Sequence, residues 1–237
     1  MIVYGRNAVR EALRGPRTVK RVWASMSVAR EPWLKAPDIQ YAEGWELEPL
    51  CGSPDHQGVC ADVSEFEYAD ADALLAREDA VVVVLDQVQD PRNLGAICRV
   101  AECAGAAGVV IGERRTAQVT PVVCRASAGA VEHLPIARVR NLADYLAEAK
   151  QQPGTWIYGA ATSPDAVPYD QPDYGGRVVL VLGSEGSGLR PRVAAACDQL
   201  VALPLRGRIE SLNVAAAAAA LLYGILHSGR PGVDNVR

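Results

Sequence analysis

Val81-Val82-Val83-Val84-Leu85-Asp86-Gln87-Val88-Gln89-Asp90-Pro91-Arg92-Asn93-Leu94-Gly95 is five apolar residues, a polar loop and the start of a helix. An unbroken apolar run of that length is a strand buried on both faces, since a strand with one wet face would alternate. Asn93 suits the N-cap of the helix that follows, which runs over 93–104 and stops at Gly105. A doubly buried strand feeding a helix is the repeating unit of a parallel α/β sheet.

The same alternation extends outward. Strands are expected at 108–111, 136–139, 156–160, 178–182 and 200–203. Helices are expected at 122–131, opened by Pro121, at 142–150, capped by Asn141, and from Ser211 onward. The chain from 80 to 237 therefore reads as one α/β domain with a mostly parallel sheet. The front, 1–65, reads as a small α/β unit: a helix over 6–13 closed by Gly15-Pro16, then strands at 19–24 and 58–63. Pro32, Pro37, Pro49 and Pro54 imply loops and short elements between those strands. Residues 66–79 read as an acidic linker with a short helix at 71–77.

Composition narrows the class. With 49% hydrophobic but only 5% aromatic residues, the core of this 237-residue chain must be built from Val, Leu, Ile and Ala. The longest apolar run, 214–226, is too short to cross a bilayer, and Met1-Ile2-Val3-Tyr4-Gly5-Arg6 lacks the layout of a signal peptide. A cytoplasmic location and no membrane partner are expected. Six scattered cysteines, without a Cys-x-x-Cys pair or a His at zinc spacing, read as buried free thiols and imply no metal. The formal net charge is −4, yet residues 1–30 carry seven basic side chains against Glu11 alone, while 31–80 carry two against thirteen acids. A basic front suits a phosphate-backbone partner, and equally a solvated helix face.

Three loops follow predicted strands, the place where open α/β sheets bind ligands. The first leads from Asp86 to Asn93, with Arg99 about two turns further along the helix. The second, Gly183-Ser184-Glu185-Gly186-Ser187-Gly188-Leu189, has glycines that admit close backbone approach. It lacks the dinucleotide and P-loop spacings, and Glu185 would repel a phosphate, so a neutral or cationic ligand such as a sulfonium or a ribose hydroxyl fits better. A plain Gly-rich turn is the alternative, and Glu185 tips the balance towards function. The third, from Leu203 to Asn213, offers Arg206 and Arg208 for phosphate and Ser211 and Asn213 as short polar groups. It runs directly into Val214 and six alanines, a helix start with almost no bulk.

In this order, Asn93-Leu94-Gly95-Ala96 with Arg99, Gly183-Ser184-Glu185-Gly186 and Ser211-Leu212-Asn213 resemble the motifs of the SpoU (TrmH-like) RNA ribose 2′-O-methyltransferases. Ile2 to Val9 and His56-Gln57-Gly58-Val59 resemble the small RNA substrate-binding domain of the members that act on 23S rRNA guanosine. Residues 26–55 fit that pattern less well, and Ala215 stands where many members have serine. The resemblance implies S-adenosylmethionine as cofactor and a catalytic domain with a C-terminal trefoil knot, in which the alanine helix is threaded. It also implies a homodimer. The site residues it implies are Asn93, Arg99, Glu185, Ser211 and Asn213 for catalysis. Gly183, Glu185, Leu203, Leu205, Ser211, Leu212 and Asn213 would hold the cofactor, and Arg6, Arg10, Arg92 and Arg206 would contact RNA. The implied partner is large-subunit rRNA, at a guanosine of the P-site loop. A tRNA-directed enzyme and a catalytically silent RNA-binding scaffold are the alternatives. A nicotinamide-dependent oxidoreductase is disfavoured by the missing dinucleotide fingerprint.

Overall fold

Two sheets organise the chain in a computed structural model that describes residues 1–36 and 38–228. Pro37, and the last nine residues of the segment read as 80–237, lie outside the described residues. The front half contains β1 (Ile2–Tyr4), α1 (Arg6–Arg14), β2 (Val19–Ala24), α2 (Met26–Ala29), β3 (Ile39–Tyr41), α3 (Gly44–Cys51) and β4 (Val59–Val63). Its four strands lie in the order β1-β4-β2-β3, antiparallel except for the β2–β3 pair. The two strands read from the sequence, β2 and β4, are its centre. β1, β3 and α3 were not legible, because β1 and β3 are three residues long and α3 contains Pro49. Glu46 in the first turn of α3 accepts the Glu43 N–H at 2.7 Å, which satisfies one orphan donor at the helix start.

The remainder holds β5 (Val81–Leu85), α4 (Pro91–Cys103), β6 (Gly108–Gly112), α5 (Pro121–Ala126), β7 (Ile136–Val139) and α6 (Leu142–Ala149). It continues with β8 (Thr155–Ala160), β9 (Val167–Pro168), β10 (Arg177–Leu182), α7 (Pro191–Ala196), β11 (Gln199–Ala202) and α8 (Val214–His227). The seven strands order as β7-β6-β5-β10-β8-β11-β9, and every pairing is parallel. All five residues of β5 are buried, and they divide by parity. Val81, Val83 and Leu85 pack with α4, α5 and α8, whereas Val82 and Val84 pack with α6 and α7. Burying each such side chain contributes about 1.5–3 kcal/mol, which is why no polar residue interrupts the run.

Several helix ends differ from the expectation. α4 begins at Pro91, because Asp90 rather than Asn93 is its N-cap, accepting the Arg92 N–H at 2.8 Å. α5 stops at Ala126, since Ala128 and Gly129 take positive φ, and a 3-10 turn at Ala130–Glu132 follows. The helix expected at 71–77 is a 3-10 turn, Asp72–Leu75, and α8 starts at Val214 rather than Ser211. Within the alanine run only Ala218 is fully buried, while Ala216 and Ala220 face out. Among the cysteines, Cys60, Cys98 and Cys124 are buried and Cys103 is exposed. No helix among the described residues is long and apolar enough to cross a membrane.

The two sheets share one continuous core, in which Val3, Val9, Val22 and Val63 join Val123, Val131 and Leu134. Across that junction Arg17 forms a two-pronged ion pair with Glu132, Nε to Oε2 at 2.8 Å and Nη2 to Oε1, with both side chains buried. His133 Nε2 meets Glu11 at 3.0 Å, and Arg125 Nε donates to the Asp55 carbonyl at 3.1 Å. The connecting segment is tied down as well. Ala69 N–H donates to Ile136 O at 2.8 Å, and the Tyr68 hydroxyl accepts the Val119 N–H at 3.1 Å.

Candidate active site

β5 and β10 are neighbours, with Leu85 opposite Leu182, so the loops that leave their carboxyl ends emerge side by side. Asp86, the first residue beyond β5, is fully buried. Its Oδ2 accepts the Arg190 N–H at 2.8 Å and its Oδ1 accepts Arg190 Nε at 2.7 Å. That carboxylate therefore anchors the far end of the 183–190 loop, where α7 begins. Sequence reading passed over Asp86; an acid directly after five apolar strand residues was its only signal.

Inside the loop, Ser184 and Gly188 exchange backbone hydrogen bonds at 3.0 and 3.2 Å, which closes a tight turn with Glu185 at its tip. Gly186 and Gly188 have φ of 86° and 65°, a region where other residues are strained. A Cβ on Gly183 would collide with the carbonyl of Gly188, so the turn folds back only over glycine.

Glu185 is the meeting point of all three loops. Its Oε1 accepts Nδ2 of Asn93 at 3.0 Å, Nδ2 of Asn213 at 2.7 Å and the Val214 N–H at 3.4 Å. Asn213 also donates to Oδ1 of Asn93 at 3.0 Å, while its own Oδ1 caps α8 by accepting Ala215 N–H at 3.0 Å and Ala216 N–H at 3.3 Å. The Asn213 carboxamide thus uses both donors and both acceptor lone pairs. Aspartate could keep the cap, but it would lose both donors and set a second carboxylate beside Glu185.

The other predicted residues occupy different places. Arg99 is exposed on α4 and has no hydrogen bond or ion pair among the described residues. Six residues turn a helix through about 600°, some 120° short of two turns, so Arg99 does not project in line with Asn93. Ser211 is exposed and belongs to the wall of an adjacent pocket.

That pocket, about 360 Å³, lies at the carboxyl ends of β8, β10 and β11. Gly183, Glu185, Leu203, Leu205, Ser211 and Leu212 line it, whereas Asn213 is not part of its lining. Ala160, Ala161, Thr162 and Glu210, which sequence reading missed, are also among its walls. Its volume falls within the range of about 300–1,000 Å³ usual for small-ligand sites. It contains two carboxylates and no basic side chain. This donor set fits a ligand with a positive sulfonium and an apolar body, and does not fit a phosphate.

Five of the seven basic side chains of the front are ion-paired, and they share four carboxylates. Arg6 pairs with Glu31 at 3.5 Å, Arg10 and Arg14 with Glu11 at 2.9 and 3.2 Å, Arg21 with Asp38 at 2.9 Å, and Arg17 is buried with Glu132. Arg92 and Arg206 are exposed and unpaired among the described residues. No group of three or more His, Cys, Asp or Glu side chains that could hold a metal ion occurs among the described residues.

Comparison with known proteins gives the family. A model of the SpoU rRNA Methylase family matches residues 80–223, and one described as RNA 2′-O ribose methyltransferase substrate binding matches residues 2–69. A Bacillus subtilis (strain 168) protein assigned to the TrmH family of tRNA/rRNA methyltransferases is 36% identical over 97% of this chain and 96% of its own. Among solved structures, the SpoU methyltransferase AviRb of Streptomyces viridochromogenes, in complex with AdoMet, superposes with a TM-score of 0.80 at 25% identity, covering 95% of this chain and 89% of that one. An AdoMet-bound rRNA methyltransferase of Sinorhizobium meliloti gives 0.79 at 26% identity, covering 94% and 85%.

Proposed function

The chain belongs to the SpoU rRNA methylase family and is an S-adenosylmethionine-dependent RNA methyltransferase, and we propose that its acceptor is a ribose 2′-hydroxyl, that of a guanosine in the P-site loop of large-subunit rRNA. The observation that carries this reading is the Asn93–Glu185–Asn213 cluster standing beside a pocket without cations. When bound, the cofactor supplies an activated methyl group on a positively charged sulfur.

The protein's part is to align an oxygen with that methyl and to manage charge on the oxygen. Gly183, Leu203, Leu205 and Leu212 form the cofactor walls. Glu185 has Oε1 held by three N–H groups, while Oε2 has no partner among the described residues. Oε2 accepts the hydrogen bond of the ribose hydroxyl and fixes its direction. Such alignment contributes on the order of 7–11 kcal/mol to the rate. Arg99 holds the neighbouring phosphate and stabilises negative charge as it develops on the 2′-oxygen. Transfer would leave S-adenosylhomocysteine, and the hydroxyl proton would pass to solvent from an oxygen held by Glu185 and Arg99.

The partner and architecture follow the same family reading. Residues 1–65 act as the substrate-binding unit, 66–79 as the connection and 80–237 as a knotted catalytic unit. The knot is read from the family alone. Support for a homodimer is the exposure of Leu205, Ile209, Leu212 and Tyr223, apolar side chains on the third loop and α8. Incubation with labelled S-adenosylmethionine and unmodified rRNA or tRNA, followed by nucleoside analysis, tests the acceptor. Label in 2′-O-methylguanosine of rRNA supports the reading, whereas label in tRNA or in a methylated base replaces it.

A further inference from the structure

A second cavity of about 1220 Å³ opens on the same sheet edge as the methyl-transfer site, at the carboxyl ends of β6 and β7. Six arginines line it: Arg114, Arg115, Arg138, Arg140, Arg190 and Arg192. Four carboxylates share the walls, those of Asp70, Asp72, Asp144 and Glu148, which leaves an excess of two positive charges. Three arginines are occupied. Arg190 is bound to Asp86, Arg192 approaches Asp144 at 3.8 Å, and Arg138 lies over the Tyr68 ring at 4.7 Å from its centroid. Arg114, Arg115 and Arg140 are exposed, with no hydrogen bond or ion pair among the described residues.

Two further features set this groove apart from a merely solvated surface. Arg115 holds φ at 57°, in the left-handed region that a long side chain seldom adopts, so the loop after β6 is fixed in a shape its sequence does not favour. The buried Tyr145 hydroxyl, on a side chain that lines the groove, has no hydrogen-bond partner. Three unpaired guanidinium groups along one groove match the oxygen-rich surface of a phosphodiester. Position agrees: β6 and β10 flank β5, so the groove lies about two strand spacings, roughly 10 Å, from the Glu185 loop. Asp86 and Arg190 form the partition between them.

We propose that this groove binds the phosphate backbone of the same RNA whose ribose enters the methyl-transfer site, with Arg114, Arg115 and Arg140 as the contacts. The proposal rests on the RNA methyl-transfer reading for its choice of ligand, and it adds an electrostatic contact to those of the front unit.

The test is the full-length variant Arg114→Ala/Arg115→Asn/Arg140→Ala; asparagine tolerates the positive φ at 115. Binding to short fragments of unmodified rRNA is titrated over a range of salt without cofactor. The expected result is affinity reduced about tenfold or more near 0.1 M salt. The slope of log K against log salt should also be shallower by about 2, as three lost single-strand phosphate contacts require. Cofactor affinity and turnover at saturating RNA should be unchanged, and the triple Arg→Lys variant should regain most of the binding. Affinity within about twofold of the parent and an unchanged slope would overturn the proposal. A parent protein that moves no methyl group, yet loses RNA through this variant, sinks the methyl-transfer reading and leaves the groove standing. A variant that binds and methylates RNA like the parent does the reverse.

Discussion

The carboxamide of Asn213 joins Glu185 to the start of α8: its Nδ2 lies 2.7 Å from Glu185 Oε1, while its Oδ1 accepts the Ala215 N–H at 3.0 Å. One side chain therefore both starts a helix and holds the acid of the candidate site, and the two tasks separate by substitution. Serine at 213 keeps a capping oxygen but cannot reach as a donor. Asn213→Ser should cost no more than about 1 kcal/mol of stability while methyl transfer falls about 100-fold, because the acid is displaced. Thermal melting and single-turnover kinetics check the two halves.

Arg99 tests the chemistry without disturbing the fold. Its side chain is exposed and unpaired among the described residues, so Arg99→Ala should change stability by less than about 0.5 kcal/mol. Methyl transfer should fall by about 10²–10³ as a charge facing the developing oxyanion disappears. Cofactor affinity, read by calorimetry, should stay close to the parent value. Near-normal turnover on the natural RNA would remove Arg99 from the mechanism.

The sequence made the sheet legible because β5, β6 and β10 are apolar on both faces, a pattern that local burial alone dictates. The first two loops were legible for the same reason, since they follow β5 and β10, whereas the third follows β11, in which only Val201 is buried. Their mutual geometry was not: the bond from Asn213 to Glu185 spans 28 residues and that from Asn213 to Asn93 spans 120. Asn93 was misread as a cap because Asp90, three residues earlier, offers the same chemistry to the backbone. Nor could charge counts show that Arg17 is buried against Glu132, 115 residues away.

That ion pair makes the front unit part of the fold. Glu132→Ala leaves the Arg17 guanidinium buried without a counter-charge, which should cost about 3–5 kcal/mol. A chain lacking residues 1–65 would in addition expose Val123, Val131 and Leu134, which share a core with β1, α1 and β4. It should therefore unfold or aggregate, and chemical denaturation of the two proteins checks this. A truncated chain with an unchanged unfolding midpoint would show that the junction is dispensable.

Glu11 gives the same junction a pH dependence. Burial opposes its ionisation, but hydrogen bonds from Arg10 and His133 and the nearby charges of Arg14 and Arg10 outweigh burial and hold its pKa below the ordinary 4.5. A depressed folded-state pKa adds stability that is present above the unfolded pKa and is lost as pH falls through the folded one. Glu11→Gln should thus be less stable than the parent at neutral pH, and the difference should shrink as pH falls below 4.5 and vanish below the lower folded-state pKa. Urea midpoints measured across that range decide it, and a gap that persists in acid would contradict the linkage.

Methyl transfer to a ribose hydroxyl governed by Glu185 is tested by incubating the protein with methyl-labelled S-adenosylmethionine and unmodified rRNA, followed by digestion to nucleosides and mapping of the labelled position. Label is expected in a 2′-O-methylated guanosine, abolished in Glu185→Ala at unchanged fold. Label confined to methylated bases, or equal labelling by the Glu185→Ala protein, would contradict it.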